Sequence, residues 1–85
     1  MDFETMMRDA VLGYSRVPAM DRDRTEARMS ASTGEVIWER MIYRWLDLDV
    51  LQWDESKMDN STLFGLRIRR DDSVPYGEVQ YWTRR

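Results

Sequence analysis

The 85-residue chain contains no cysteine and no histidine, one lysine, two prolines and four glycines. Without cysteine there is no disulfide staple, no thiolate nucleophile and no cysteine-based zinc site, and a cytoplasmic setting is the simplest expectation. Without histidine the chain lacks the commonest general base and the commonest metal ligand. Its serines and tyrosines therefore have no imidazole to activate them. Gly13, Gly34, Gly65 and Gly77 lie far apart, so no glycine-rich phosphate loop exists. No apolar run reaches the ~18 residues of a membrane span. The acidic opening Met-Asp-Phe-Glu-Thr does not resemble a secretory or transit leader. A chain of this length is expected to form one domain, residues 1–85. It buries only about 60–65% of its unfolded surface, so dense aromatic packing or oligomerisation must make up for the missing staples.

Aromatics are plentiful: four Trp, four Tyr and two Phe. Each can remove about 150–250 Å² from water when buried. Twelve of the thirteen basic residues are arginine, Lys57 being the exception. Arginine suits planar, bidentate and stacked contacts that lysine does not make. The net charge of −3 argues against wholesale binding to a phosphate backbone. The charge is unevenly spread. Residues 62–85 set Arg67, Arg69, Arg70, Arg84 and Arg85 against Asp71, Asp72 and Glu78, a local excess of two positive charges.

The pattern predicts an α+β fold, with two or three α-helices packed on a small antiparallel β-sheet or a C-terminal β-hairpin. A first helix spans about 2–14. Phe3, Met6, Met7, Ala10, Val11 and Tyr14 share one face, Asp2 is its N-cap and Gly13 a natural stop. Residues 21–31 alternate charge over Asp21–Arg24 and read as a short helix from about Arg24 to Met29 or a charged connection. The central helix, about 33–48, opens with Ser32 and Glu35 at capping-box spacing. Its apolar residues cover half its circumference, so it is expected to carry the first helix on one side and the C-terminal strands on the other. Beyond Leu48 the period changes to two, giving a short strand or turn through Trp53. A polar loop occupies 54–61, and 62–84 reads as a hairpin with Phe64, Leu66 and Ile68 opposite Arg67 and Arg69. Trp82 is expected to stack on Arg67 or Arg69 across the strands.

Carboxylates are the only catalytic candidates left. Asp47, Asp49, Asp54, Glu55 and Asp59 form an acidic stretch, but it lacks the glycine and glutamate of an EF-hand loop. A chain this small rarely encloses the shaped pocket that acid–base chemistry needs. The expectation is a non-enzyme with no cofactor and no metal. Two surfaces are candidate partner sites. One is the acidic stretch, which would imitate a phosphate track against a basic groove. The other combines an Arg40, Tyr43, Arg44 ridge with Arg67, Arg69 and Trp82, since arginine and aromatics dominate interface hot spots. The expected partner is a protein or a protein–nucleic acid complex, with no membrane involved and a homodimer as a further option. The order helix, short helix, long helix, hairpin also matches a winged-helix domain, with Arg40 and Arg44 in the major groove, which makes direct nucleic-acid binding the alternative function.

In size and composition the chain is similar in kind to small phage or mobile-element proteins that block host machinery, including anti-CRISPR inhibitors. That resemblance implies occlusion of a host complex as the function and assigns no residue.

Overall fold

The computed structural model describes residues 2–44 and 50–84, without the side chains of Ile42, Tyr43 and Arg44. Helix α1 runs Phe3–Ser15 and helix α2 Ala31–Arg44. Five strands, β1 Thr25–Met29, β2 Leu51–Gln52, β3 Thr62–Leu63, β4 Leu66–Arg70 and β5 Gln80–Thr83, form one sheet in the order β2-β3-β4-β1-β5. The fold is α+β, with both helices on one side of this sheet. Phe3, Met6, Met7 and Tyr14 from α1 and Val36, Ile37, Trp38 and Met41 from α2 join Ala27, Met29, Leu66 and Ile68 in a single core.

Helix α1 follows the sequence pattern. The Asp2 carboxylate accepts the Thr5 N–H at 2.7 Å, satisfying one of the four donors that a helix start leaves free. Met6 and Ala10 are buried, whereas Val11, on the margin of the predicted stripe, is exposed. Gly13 does not end the helix. It lets the chain approach Tyr81, because a Cβ at Gly13 would lie 2.6 Å from the Tyr81 ring. The Tyr81 hydroxyl donates to the Ala10 carbonyl at 2.5 Å, and burial pushes its phenol well above the usual range.

Residues 21–31 correct the expectation most sharply. Within them, Thr25–Met29 is neither a short helix nor a loose connection but a strand. A 3₁₀ helix, Ala19–Arg24, delivers the chain into β1, which pairs in parallel with β4 and antiparallel with β5. Thr25, Ala27 and Met29 are buried and alternate with half-buried Glu26 and Arg28, the period of two of a strand. The Thr25 hydroxyl meets that of its register partner Thr83 at 2.8 Å. This strand, rather than the long helix, is the element on which the other layers rest.

The 62–84 hairpin is also corrected. Strands β4 and β5 are not neighbours, because β1 lies between them. The tight hairpin joins β3 to β4, with Leu63 opposite Leu66. Phe64 (φ 55°) and Gly65 (φ 81°) turn the chain, both in the left-handed region that a two-residue hairpin loop requires. Phe64 accepts that conformation with its N–H donated to the Val50 carbonyl at 2.7 Å and its ring 5.1 Å from that of Tyr14.

Helix α2 begins one residue before Ser32, and Ser30 is the capping hydroxyl. Its Oγ accepts the Thr33 N–H at 3.2 Å, and Asp72 accepts the Ala31 N–H at 3.0 Å. Trp38 stacks on Trp53, with centroids 5.9 Å apart, so the turn through Trp53 packs on this helix. The polar stretch 54–61 contains a 3₁₀ turn, Met58–Asn60, and ends at the buried Ser61. The Ser61 hydroxyl accepts the Asp54 N–H at 2.8 Å, and its carbonyl accepts the Ile68 N–H at 2.9 Å. Among the described residues no helix is long and apolar enough to cross a membrane.

Candidate functional site

Alternation along the strands sends one set of side chains into the core and the other onto the far side of the sheet. On that far side the register brings Glu26 opposite Arg67 on one flank and Trp82 on the other, and Arg28 opposite Arg69 and Gln80. No described element covers this face, and Arg67, Arg69 and Trp82 are exposed, Trp82 at 49%.

The Arg28 guanidinium lies over the Trp82 indole, 4.4 Å from its centroid. Trp82 is therefore stacked by Arg28 of β1 and not by Arg67 or Arg69 as expected, since β1 is the strand beside β5. Glu26 lies 3.4 Å from the Arg28 Nη2 and 3.8 Å from the Arg69 Nε, and Asp71 lies 3.9 Å from the Arg28 Nη1. The Arg28 Nε is buried and has no hydrogen-bond partner. The indole face and two flanking carboxylates hold the charge in place. An exposed cation–π contact contributes about 0.5–1 kcal/mol. The result is a fixed, planar, basic and aromatic patch at the centre of an open sheet.

The acidic stretch is arranged differently. Asp54 accepts the backbone N–H of Ser56 at 2.9 Å and its hydroxyl at 2.6 Å. Asp59 accepts the Arg70 N–H at 3.0 Å, and its carbonyl accepts the Arg67 Nε at 3.1 Å. These acids close their own loop and brace the arginine strand. Glu55 is exposed beside them. Asp47 and Asp49 lie outside the described residues, as do the side chains of Tyr43 and Arg44. Arg40 is exposed on α2, away from the sheet patch. Of the candidate residues, the structure thus brings Arg67, Arg69 and Trp82 to one face and adds Glu26 and Arg28. The signal for those two was the period of two from Thr25 to Met29. Among the described residues no three potential ligands gather as a metal site.

Four aspartates carry a pH signature. Hydrogen bonds from the Thr5 backbone hold Asp2 below the ordinary value of 3.8. The Ser56 hydroxyl does so for Asp54, the Ser73 hydroxyl for Asp71 and the Arg70 guanidinium for Asp72. A carboxyl depressed in the fold contributes stability that is complete above the unfolded value and disappears as pH falls through the folded one. Carboxyl titrations followed by NMR should therefore give midpoints below 3.8 for all four. The thermal midpoint should fall as the pH drops from about 4 towards about 2. Unshifted midpoints would mean that these turns do not persist in solution.

Comparison with protein-family models, with curated proteins and with solved structures finds no match.

Proposed function

We propose that the chain is a small non-catalytic binding module that acts by occlusion, and that the open sheet face is its contact surface. The observation that supports this most is the Arg28–Trp82 stack, flanked by Arg67 and Arg69, on a face with no described cover. Tryptophan and arginine are the residues most enriched at hot spots, and a side chain already held in its binding geometry loses less freedom on association. The partner that fits is a protein with an acidic surface. The Asp54 and Asp59 oxygens are engaged in local bonds, which favours the arginine–aromatic surface over the acidic one. A cytoplasmic host complex blocked by a phage-like inhibitor agrees with the size and composition.

The winged-helix alternative loses its geometric basis, because the short helix is a strand and β4 and β5 do not form a wing. Nucleic-acid binding by the sheet face remains a measurable alternative. Immobilised wild-type chain and the double variant Arg67→Glu/Arg69→Glu should be exposed to source-cell lysate. Charge reversal should remove an acidic protein retained by the wild type and weaken the purified pair at least about tenfold, with circular dichroism unchanged. Equal retention by both would overturn the assignment of the face. Tight, salt-sensitive binding of random duplex DNA, abolished by the same reversal, would move the function to nucleic acid. Sedimentation of the wild type as a dimer whose association the reversal abolishes would make the face a self-association surface.

A further inference from the structure

Where the open face meets the 3₁₀ helix, the chain forms a cavity of about 290 Å³. It is close to the lower bound of the ~300–1,000 Å³ typical of small-molecule sites. Five arginines line it: Arg22 and Arg24 from the 3₁₀ helix, Arg67 and Arg69 from β4, and Arg84 just beyond β5. Against them stand two lining carboxylates, Asp23 and Glu26.

These arginines are held together by the backbone and are not a loose surface scatter. The Arg84 N–H donates to the Arg24 carbonyl at 2.9 Å, which fixes the chain beyond β5 against the start of β1. Arg67 and Arg69 are two apart on one strand and share a face, and the Asp59 carbonyl holds the Arg67 Nε at 3.1 Å. Glu26 pins the Arg69 guanidinium at 3.8 Å, and Asp21 pins that of Arg24. The Arg22 guanidinium rests on the Tyr14 ring, 4.6 Å from its centroid. Among the described residues no carboxylate pairs with Arg22, Arg67 or Arg84. Setting Asp21, Asp23 and Glu26 against the five arginines leaves an excess of two positive charges around one hollow.

We propose that this cavity binds a dianionic phosphate monoester of mononucleotide size. The unpaired arginines supply charge-assisted, bidentate donors for the phosphate oxygens. The two arginines pinned by acids keep their planes fixed, and a guanidinium plane stacks on a base. Thr62 adds a hydroxyl to the wall, and at Gly65 the space where a side chain would project is open, so the hairpin turn leaves the mouth clear. The charge excess matches a dianion, and the volume exceeds what a bare phosphate fills. The site shares Glu26, Arg67 and Arg69 with the open face, so the variants that test it are placed at Arg22 and Arg84, which the Arg28–Trp82 stack does not use.

The test titrates the 85-residue chain with adenosine 5′-monophosphate, inorganic phosphate and adenosine by calorimetry, and maps the adenosine 5′-monophosphate site by amide NMR. Adenosine 5′-monophosphate should bind more tightly than inorganic phosphate, and adenosine should not bind. Amide shifts should concentrate at Arg22–Glu26 and Thr62–Arg69. Arg84→Ala and Arg22→Ala should each weaken binding about tenfold, whereas Arg16→Ala, just past the end of α1, should change it less than about twofold. Equal weakening by Arg16→Ala would show diffuse attraction without a site, and shifts elsewhere on the molecule would place the ligand outside the cavity. Inorganic phosphate binding as tightly as adenosine 5′-monophosphate, or neither binding at millimolar concentration, would also overturn the proposal. The NMR map uses wild-type chain and stays decisive if a variant fails to fold.

Discussion

Ile68→Ala should destabilise the fold by about 3 kcal/mol, and the thermal midpoint should fall by about 12–24 °C. Ile68 is 1% exposed on β4, opposite the fully buried Ala27. Its neighbours in the core include Met29, Ile37 and Leu66, one from each of three elements. Removing three carbons there forfeits transfer free energy and leaves a void. The wall formed by Ala27 has no side chain long enough to fill it, and the β4 backbone is held by the Ile68 N–H on the Ser61 carbonyl at 2.9 Å. Collapse is therefore limited, which places the loss in the middle of the range for buried isoleucine. A domain of this size has only about 5–15 kcal/mol in total, so the change removes a large share of it. Val11→Ala, at an exposed position, should change stability by no more than about 0.5 kcal/mol. Denaturant unfolding of the two variants beside wild type decides the matter. A loss below about 1 kcal/mol for Ile68→Ala would mean that the sheet does not close on the helices as described.

The contrast between these two positions shows where sequence patterns carry information. Helix α1 was legible because its signals are local: a capping aspartate, then an apolar stripe at helical spacing. Even there the stripe takes in Val11, which is exposed, since a period cannot tell the centre of a stripe from its edge. Strand β1 shows only a weak alternation from Thr25 to Met29, which its helix propensity outweighs. Glu, Ala, Arg and Met are strong helix formers, and the preceding Asp-Arg-Asp-Arg run offered no apolar face. Its small Ala27 suits a strand only because β4 and β5 flank it, and both partners are more than thirty-five residues away along the chain. Tertiary packing overrides propensity at such a place. The same blindness misjoined the hairpin. Two amphipathic strands close in sequence looked like neighbours, and nothing local showed that a third would enter between them. The site followed suit. Arg67, Arg69 and Trp82 were readable as one basic, aromatic surface, but Arg28, which touches the indole, was hidden in the strand that the pattern missed.

Thr33→Val should cost about 2 kcal/mol and lower the thermal midpoint by about 8–16 °C, although it keeps the side chain's shape. Thr33 is fully buried in the first turn of α2. Its hydroxyl oxygen accepts the Gly77 N–H at 3.0 Å and meets the Ser30 hydroxyl at 2.8 Å. The Ser30 oxygen also accepts the Thr33 N–H, so the Ser30 hydroxyl, Thr33 and the Gly77 N–H form one connected network. Gly77 sits at φ 87° in the turn that leads into β5, so this network ties the start of α2 to the strand that carries Trp82. Valine removes the acceptor and leaves a buried N–H unpaired, which is why a swap of equal volume is not neutral here. Thr33→Ser keeps the hydroxyl and loses only a methyl, so it should retain the hydrogen-bond share of the stability. Amide exchange at Gly77 should accelerate in Thr33→Val far more than in Thr33→Ser. The same loosening should reach the open face, where the indole of Trp82 depends on the register of β5 against β1 to stay beneath Arg28. Thr33→Val should therefore also red-shift tryptophan fluorescence, and Trp82→Phe should remove the part of that shift contributed by the sheet face. If Gly77 exchange is unchanged in Thr33→Val, the hydroxyl does not hold the turn, and the support of the binding face must come from β1 alone.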